Sequence, residues 1–310
     1  MNKSLLALAV LGAFAGAASA QSSVTIYGKI ELAAGKPTGT TDKQIMDNNT
    51  GSRIGFRGVE DLGGGMQALF GFEHRLSPDT GASTSTNFWN GYSTVGLAGS
   101  FGKVNLGRQY VAAFTHIQNQ IDPFSGDTQA ALRDTGMRFG GITKVRVADS
   151  IRYDFSANGI NFAASVGEAP AGSPDRPMSV AVNYSAGPMF LGLGIENPEG
   201  ANDNVWNIGG RYNFGFATLS AGYGKGSNNA NVDAKGFLLG AVVPFGATDF
   251  KIGYAENKLD NTSLKTKRAS IGADYNLSKR TKLFANYSKV GGGVPVGPKS
   301  GYSAGINHSF

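Results

Sequence analysis

The stretch Lys299-Ser-Gly-Tyr-Ser-Ala-Gly-Ile-Asn-His-Ser-Phe310 closes the chain, and from Tyr302 onward it alternates without a break. Tyr302, Ala304, Ile306, His308 and Phe310 fall on one face, and Ser303, Gly305, Asn307 and Ser309 on the other. Side chains of a strand point to opposite faces with a period of two, so this reads as a β-strand with one apolar, aromatic-tipped face. The ends of soluble sheets usually fray into water. A strand that stops on a phenylalanine carboxylate instead suits a barrel in an outer membrane, whose last strand closes against the first and faces lipid.

The other end of the chain carries an export signal over residues 1–20. Lys3 supplies the basic start, Leu5 to Ala18 the short apolar run, and Ala18-Ser19-Ala20 the small-residue cleavage site, which makes residues 21–310 the expected mature domain. No other apolar run approaches the roughly 20 residues that a membrane helix needs. Membrane insertion would then rest on amphipathic strands, which hide their lipid-facing residues among polar ones.

Composition removes several function classes. The chain has no cysteine, which excludes disulfides and thiolate metal sites. Its formal charge of +6 is spread over 310 residues without a concentrated basic run, so no nucleic-acid partner is expected. The three histidines, His74, His116 and His308, have no nucleophile or metal-ligand partner at motif spacing. We therefore expect no enzyme, no cofactor and no metal.

Between the two ends the chain reads as about sixteen strands of roughly eight to twelve residues, joined alternately by short turns and longer polar loops. In residues 51–60, Ile54 and Phe56 oppose Arg53 and Arg57; in residues 66–75, Ala68, Phe70 and Phe72 oppose Gln67 and Glu73. In residues 146–155, Val147, Ile151, Tyr153 and Phe155 oppose Arg146, Ser150, Arg152 and Asp154. A charged side chain facing lipid at mid-depth costs about 2–4 kcal/mol, so the arginines are expected in the lumen. There they either lower the barrier for anions or pair with nearby acids and stiffen the wall. The eleven tyrosines, Tyr27, Tyr92 and Tyr110 among them, fall near strand ends or at outward positions and suit aromatic girdles at the membrane interfaces, with packing between copies of the chain the alternative for a few. The longest connection, residues 111–145, exceeds the usual loop length and is rich in hydrophobic residues, so it is read as folded inside the barrel. Soluble β-sandwiches and solenoids would share the alternation, but no fixed repeat of 20 to 50 residues appears.

The block Gly51-Ser-Arg-Ile-Gly-Phe-Arg-Gly-Val-Glu-Asp-Leu-Gly-Gly-Gly-Met-Gln-Ala68, the block Gly99-Ser-Phe-Gly-Lys-Val-Asn-Leu-Gly-Arg-Gln-Tyr110 and the terminal strand together resemble general diffusion porins of Gram-negative bacteria, of the beta-proteobacterial type. Several porins of that type favour anions. The resemblance implies an all-β, transmembrane antiparallel barrel of sixteen strands, assembled as a homotrimer, with the third external loop folded inward to narrow each pore. It implies arginines on one wall facing loop carboxylates. Arg53, Arg57, Arg146 and Arg152 fit the basic wall, and Glu73 is counted with the acids of the constriction. Arg108 fits the motif Leu-Gly-Arg-Gln but shares a face with Val104 and Leu106, and a bulge at Gly107 would be needed to swing it inward. On the loop, Asp122-Pro-Phe-Ser-Gly-Asp127 resembles the constriction tip, with Asp122 and Asp127 as its acids and Phe124 as packing. Pro123 stands where cation-selective relatives commonly carry a glutamate.

The expected function is passive diffusion of small hydrophilic solutes and inorganic anions across the outer membrane, with a weak anion preference. A substrate-specific channel and a non-conducting structural or adhesive barrel are the alternatives. The expected partners are further copies of the chain, outer-membrane lipid and lipopolysaccharide. The outer-membrane insertion machinery would read the final strand through Tyr302, Ile306 and Phe310.

Overall fold

The computed structural model describes residues 23–47, 51–126, 128–169, 171–173, 175–260, 265–293 and 297–310. The export signal read over residues 1–20 and the loop acid Asp127 lie outside them. Alternating sequence becomes strand almost throughout. The strands are β1 (Ser23–Lys36), β2 (Gln44–Met46), β3 (Arg53–Gly63), β4 (Met66–Ser77), β5 (Ala82–Ser83), β6 (Tyr92–Gly99), β7 (Gly102–Tyr110), β8 (Arg146–Ala157) and β9 (Ile160–Gly167). They continue as β10 (Met178–Ala186), β11 (Met189–Asn197), β12 (Asn204–Asn213), β13 (Thr218–Ser227), β14 (Asp233–Phe245), β15 (Thr248–Leu259), β16 (Lys265–Asn276), β17 (Thr281–Gly292) and β18 (Ser300–Ser309). Sixteen of these are long, and β2 and β5 are short additions in two loops.

The long strands pair antiparallel with their sequence neighbours and close into a barrel. At the seam β1 takes β3 on one side, from Ser23↔Val59 to Lys29↔Arg53, and β18 on the other, from Lys29↔Ser309 to Lys36↔Tyr302. The ladder runs to the last residue. Gly28 N–H donates to the Phe310 carbonyl at 3.0 Å, and Phe310 N–H donates back at 3.1 Å. The Phe310 ring lies across Gly28, where any Cβ would collide with it and would sit 2.6 Å from the Arg53 carbonyl. Closure leaves no free edge, which hydrocarbon would not tolerate. Tyr302 and Ile306 stand on the outer face of β18, opposite Lys36 and Leu32.

One end of the barrel has tight turns, and the other has the long connections. The turn at Asn158-Gly159 places both residues at positive φ, 51° and 81°, the geometry that matches a twisted two-residue hairpin. The outer face is apolar, with Val24, Ile26, Val95, Leu106, Ile151, Leu193 and Ile252 all exposed. Residues 88–91 precede β6 and fold over that face. Phe88 stacks on His74 at 4.3 Å, and Trp89 packs edge-on against Phe56. The strand begins only at Tyr92 because aromatic packing outcompetes ladder pairing there.

The connection 111–145 leaves the wall after Tyr110 and lies against the inner face of β10 to β16. It holds a π-helical turn (Phe114–Gln118) and one short helix, α1 (Arg133–Gly136). Ile121, Phe124, Ala130, Leu132 and Met137 form a buried cluster with Phe190, Leu238 and Ala255 of the wall. The wall accommodates the loop because its inner positions there are small. A Cβ at Gly236 would sit 2.6 Å from the Gly136 carbonyl, and one at Gly240 would sit 2.7 Å from the Pro123 ring. Polar anchors complete the seat: Asn207 Nδ2 donates to the Met137 carbonyl at 3.1 Å, and Asn257 Nδ2 to that of Thr135 at 3.0 Å.

Candidate pore constriction

Across the lumen from the loop, the inner face of β1, β3, β4, β6, β7 and β8 carries an arginine–tyrosine network around one carboxylate. Glu73 is buried at its centre. Arg75 Nε donates to Glu73 Oε1 at 2.7 Å, Tyr27 Oη donates to Oε2 at 3.0 Å, and Arg53 Nη1 lies 3.9 Å from Oε2. Because a carboxylate only accepts, the Tyr27 proton is committed to Glu73. Tyr92 must then donate to Tyr27 across their 2.5 Å contact. The Gly51 carbonyl takes Arg53 Nε at 2.9 Å and Arg75 Nη1 at 3.1 Å, which fixes both guanidinium groups.

A second tyrosine joins the remaining cations. Tyr110 Oη accepts from Arg75 Nη2 at 2.5 Å and from Arg146 Nη2 at 2.6 Å. The Arg146 guanidinium also lies over the Tyr110 ring, 4.2 Å from its centroid, and that of Arg57 lies 5.3 Å from the centroid of Tyr27. Among the described residues neither Arg57 nor Arg146 forms an ion pair, and Arg57 is exposed to the lumen. Four arginines against one glutamate leave this network with a net charge of +3.

Arg152 has a different setting. It forms a bidentate pair with Asp154, with contacts from 2.6 to 3.1 Å, and donates from Nη1 to the Tyr110 carbonyl at 2.9 Å and from Nη2 to Thr115 Oγ1 at 3.0 Å. Its charge is matched, and its donors clamp the point where the loop leaves the wall. His116 sits beside this clamp; burial, reinforced by the Arg152 charge, holds its imidazole below the ordinary range.

The other sequence-derived candidates scatter. Register does shift between Gly107 and Gln109, with Gly107 at φ 116°. Even so, Arg108 pairs across the ladder with Ser93, on the face of Val95, and its Nε donates to the Asn90 carbonyl at 3.3 Å. It is not brought into the network. Asp122 is buried inside the loop, where its carboxylate accepts from the backbone N–H of Phe124 at 2.9 Å and of Leu132 and Arg133 at 2.7 Å. It shapes the loop tip instead of facing the lumen. Phe124 is buried in the loop-to-wall cluster. Among the described residues of the loop, the acid that stands exposed is Asp134, paired with Arg133 at 3.2 Å and Arg138 at 3.0 Å.

Sequence reasoning missed Arg75 and misplaced three tyrosines. Arg75 follows Glu73 by two residues and therefore shares its face, a signal available from parity alone. Tyr27, Tyr92 and Tyr110 turn inward, contrary to the girdle reading; Tyr27 has the parity of Thr25 and Lys29, not of Val24 and Ile26. Tyr184, Tyr212, Tyr223, Tyr275, Tyr287 and Tyr302 do face outward.

Residues 7–292 match the profile of the Gram-negative porin family. The chain is 33% identical to outer membrane porin protein 32 of Delftia acidovorans and 28% identical to an outer membrane porin protein of Bordetella pertussis, covering 100% of both chains in each case. Among solved structures it resembles an anion-selective porin from Comamonas acidovorans, with a TM-score of 0.78 and 25% identity over 94% of this chain and 100% of that one.

Proposed function

The chain belongs to the Gram-negative porin family and is a passive diffusion channel of the outer membrane; on that premise we propose that its pore favours small anions and that the arginine–tyrosine network sets the preference. The observation that carries this reading is the net +3 gathered around Glu73, with Arg57 and Arg146 free of carboxylates among the described residues. An anion about 4 Å from one such charge gains about 4 kcal/mol at an effective dielectric of 20, enough to offset part of its dehydration cost. Glu73 takes back a share of this, which keeps the preference weak. Tyr110 supports the same reading: both acceptor positions of its hydroxyl are taken by guanidinium groups, so its own proton remains available to an anion. The relative that is anion-selective by description points the same way.

The functional unit is a homotrimer, surrounded by outer-membrane lipid and lipopolysaccharide, and the insertion machinery reads the seam strand through Tyr302, Ile306 and Phe310. The exposed apolar outer face supports the lipid contact. The test is single-channel recording in planar bilayers under a potassium chloride gradient. A conducting pore with a reversal potential on the chloride side is expected. Absence of conductance or a reversal on the potassium side contradicts the proposal, and saturable current with one solute would make the channel substrate-specific.

A further inference from the structure

Four lysines form an unbroken row on the outside of the barrel. Lys225 of β13 pairs directly with Lys235 of β14, Lys235 with Lys258 of β15, and Lys258 with Lys265 of β16. All four share strand parity with exposed apolar residues, Tyr223, Leu239, Ile252 and Ile271, so all point outward. Each lies within two residues of a strand end on the long-connection side of the barrel, the external side in bacterial outer-membrane barrels. Like charges placed directly opposite one another across a sheet repel. Neighbouring carboxylates relieve only part of this. Asp233 lies 3.6 Å from Lys225, Asp260 lies 3.6 Å from Lys235 and 3.4 Å from Lys258, and Glu256 lies 2.7 Å from Lys265. Three carboxylates thus serve four lysines, and a fifth, Lys267, stands opposite Glu256. The side chains remain between 42% and 50% exposed.

Below this row, toward mid-membrane, the outer wall is hollowed. Gly210 and Ala221 are direct cross-strand partners on the floor of an apolar cavity that is lined by Leu219, Leu239, Ile252 and Tyr254, with Ala241 and Ala269 between these larger side chains. A cationic rim above an apolar trough matches an amphiphile with anionic head and hydrocarbon tails. Strands lie about 4.8 Å apart, so four lysines span about 14 Å. One phosphodiester would engage one or two of them; two phosphates held apart by a sugar pair would engage the whole row.

We propose that the outer face of β12 to β16 is a binding site for a bisphosphorylated, acylated glycolipid of the outer leaflet, with its phosphates on the Lys225–Lys235–Lys258–Lys265 row and its acyl chains in the trough floored by Gly210 and Ala221. The assignment rests on the lipopolysaccharide contact proposed above and gives it a location. The test uses the full-length protein purified in detergent, with bisphosphorylated lipid A in mixed micelles as probe, and reads bound lipid by native mass spectrometry. We expect saturable binding that weakens at least tenfold in Lys235→Gln/Lys258→Gln and is retained in Lys235→Arg/Lys258→Arg, with single-channel conductance unchanged in both. Lipid A stripped of phosphate is expected not to bind, and inorganic phosphate at equal concentration not to displace the probe. Wild-type binding that the glutamine variant leaves intact would overturn the site while leaving the lipid contact standing. No wild-type binding would overturn both. Displacement by inorganic phosphate would reduce the row to an adventitious anion site. A change of oligomeric state in the glutamine variant would make the face an interface between copies of the chain and overturn the lipid assignment.

Discussion

Arg75 donates to Glu73 at 2.7 Å and to the Tyr110 hydroxyl at 2.5 Å, and so joins the carboxylate-centred and the tyrosine-centred halves of the basic wall into one unit. The arginines are held in register by partners that mostly do not cancel their charge. Tyrosine rings and backbone carbonyls position them, and the buried Glu73 carboxylate opposes their charge at the centre.

Removing that opposing charge strengthens the field. Glu73→Gln raises the network from +3 to +4, and the chloride-to-potassium permeability ratio is expected to rise roughly two- to fivefold in dilute salt, since 1 kcal/mol is about a factor of five. Reversal potentials at 0.1 M and at 1 M salt check this. The Debye length shrinks from about 10 Å to about 3 Å between them, so the gain should shrink with it.

Position on the wall, not arginine content, decides which residues matter. Arg108→Ala is expected to leave the permeability ratio within about 20% of wild type, because Arg108 bonds to the Asn90 carbonyl outside the network. Arg57→Ala removes an exposed cation that has no ion pair among the described residues, and is expected to lower the ratio roughly twofold. Equal effects from the two substitutions would contradict the arrangement.

The loop seat depends on small wall residues. Gly236→Val would bring a methyl-bearing carbon to 2.6 Å from the Gly136 carbonyl, a backbone group that cannot rotate away. Overpacking of this kind costs about 1–3 kcal/mol. The expected outcome is a loop displaced toward the basic wall and a lower single-channel conductance. An unchanged conductance with an intact heat-resistant barrel would show that the loop does not depend on that contact.

The loop root should respond to acid. Burial and then Arg152 hold His116 below its ordinary value of 6.5. A histidine with a depressed folded-state value favours the packed state fully above about pH 6.5 and loses that contribution as the pH falls below it, because the released form binds the proton more readily. Current noise from loop opening is therefore expected to grow below about pH 6 and to be abolished by His116→Gln. Noise that grows with alkali instead would reverse the sign and contradict the placement.

Much of the fold is legible in the sequence. Period-two alternation located the long strands, because an outer-membrane barrel must hide charge from lipid at every second residue; the same parity puts Arg53, Arg57, Arg146 and Arg152 on the lumen face. Reading was lost where contacts are non-local. Asp122 resembles a lumen acid by its neighbours in sequence, yet the loop folds back so that Leu132 and Arg133 donate to it. Tyrosine was assigned by residue type, although parity already set Tyr27 beside Lys29. Phe88 and Trp89 alternate like strand residues, and only the outer aromatic surface of β3 and β4 explains why they leave the ladder.

The guanidinium groups around Glu73 set the sign of selectivity in the proposed channel, and the reversal potential of Arg53→Ala/Arg57→Ala/Arg146→Ala in a tenfold potassium chloride gradient, beside the wild type, tests this. We predict a wild-type reversal on the chloride side and a triple variant at or beyond zero toward potassium, with conductance retained. A triple variant that keeps the wild-type reversal potential would contradict the account.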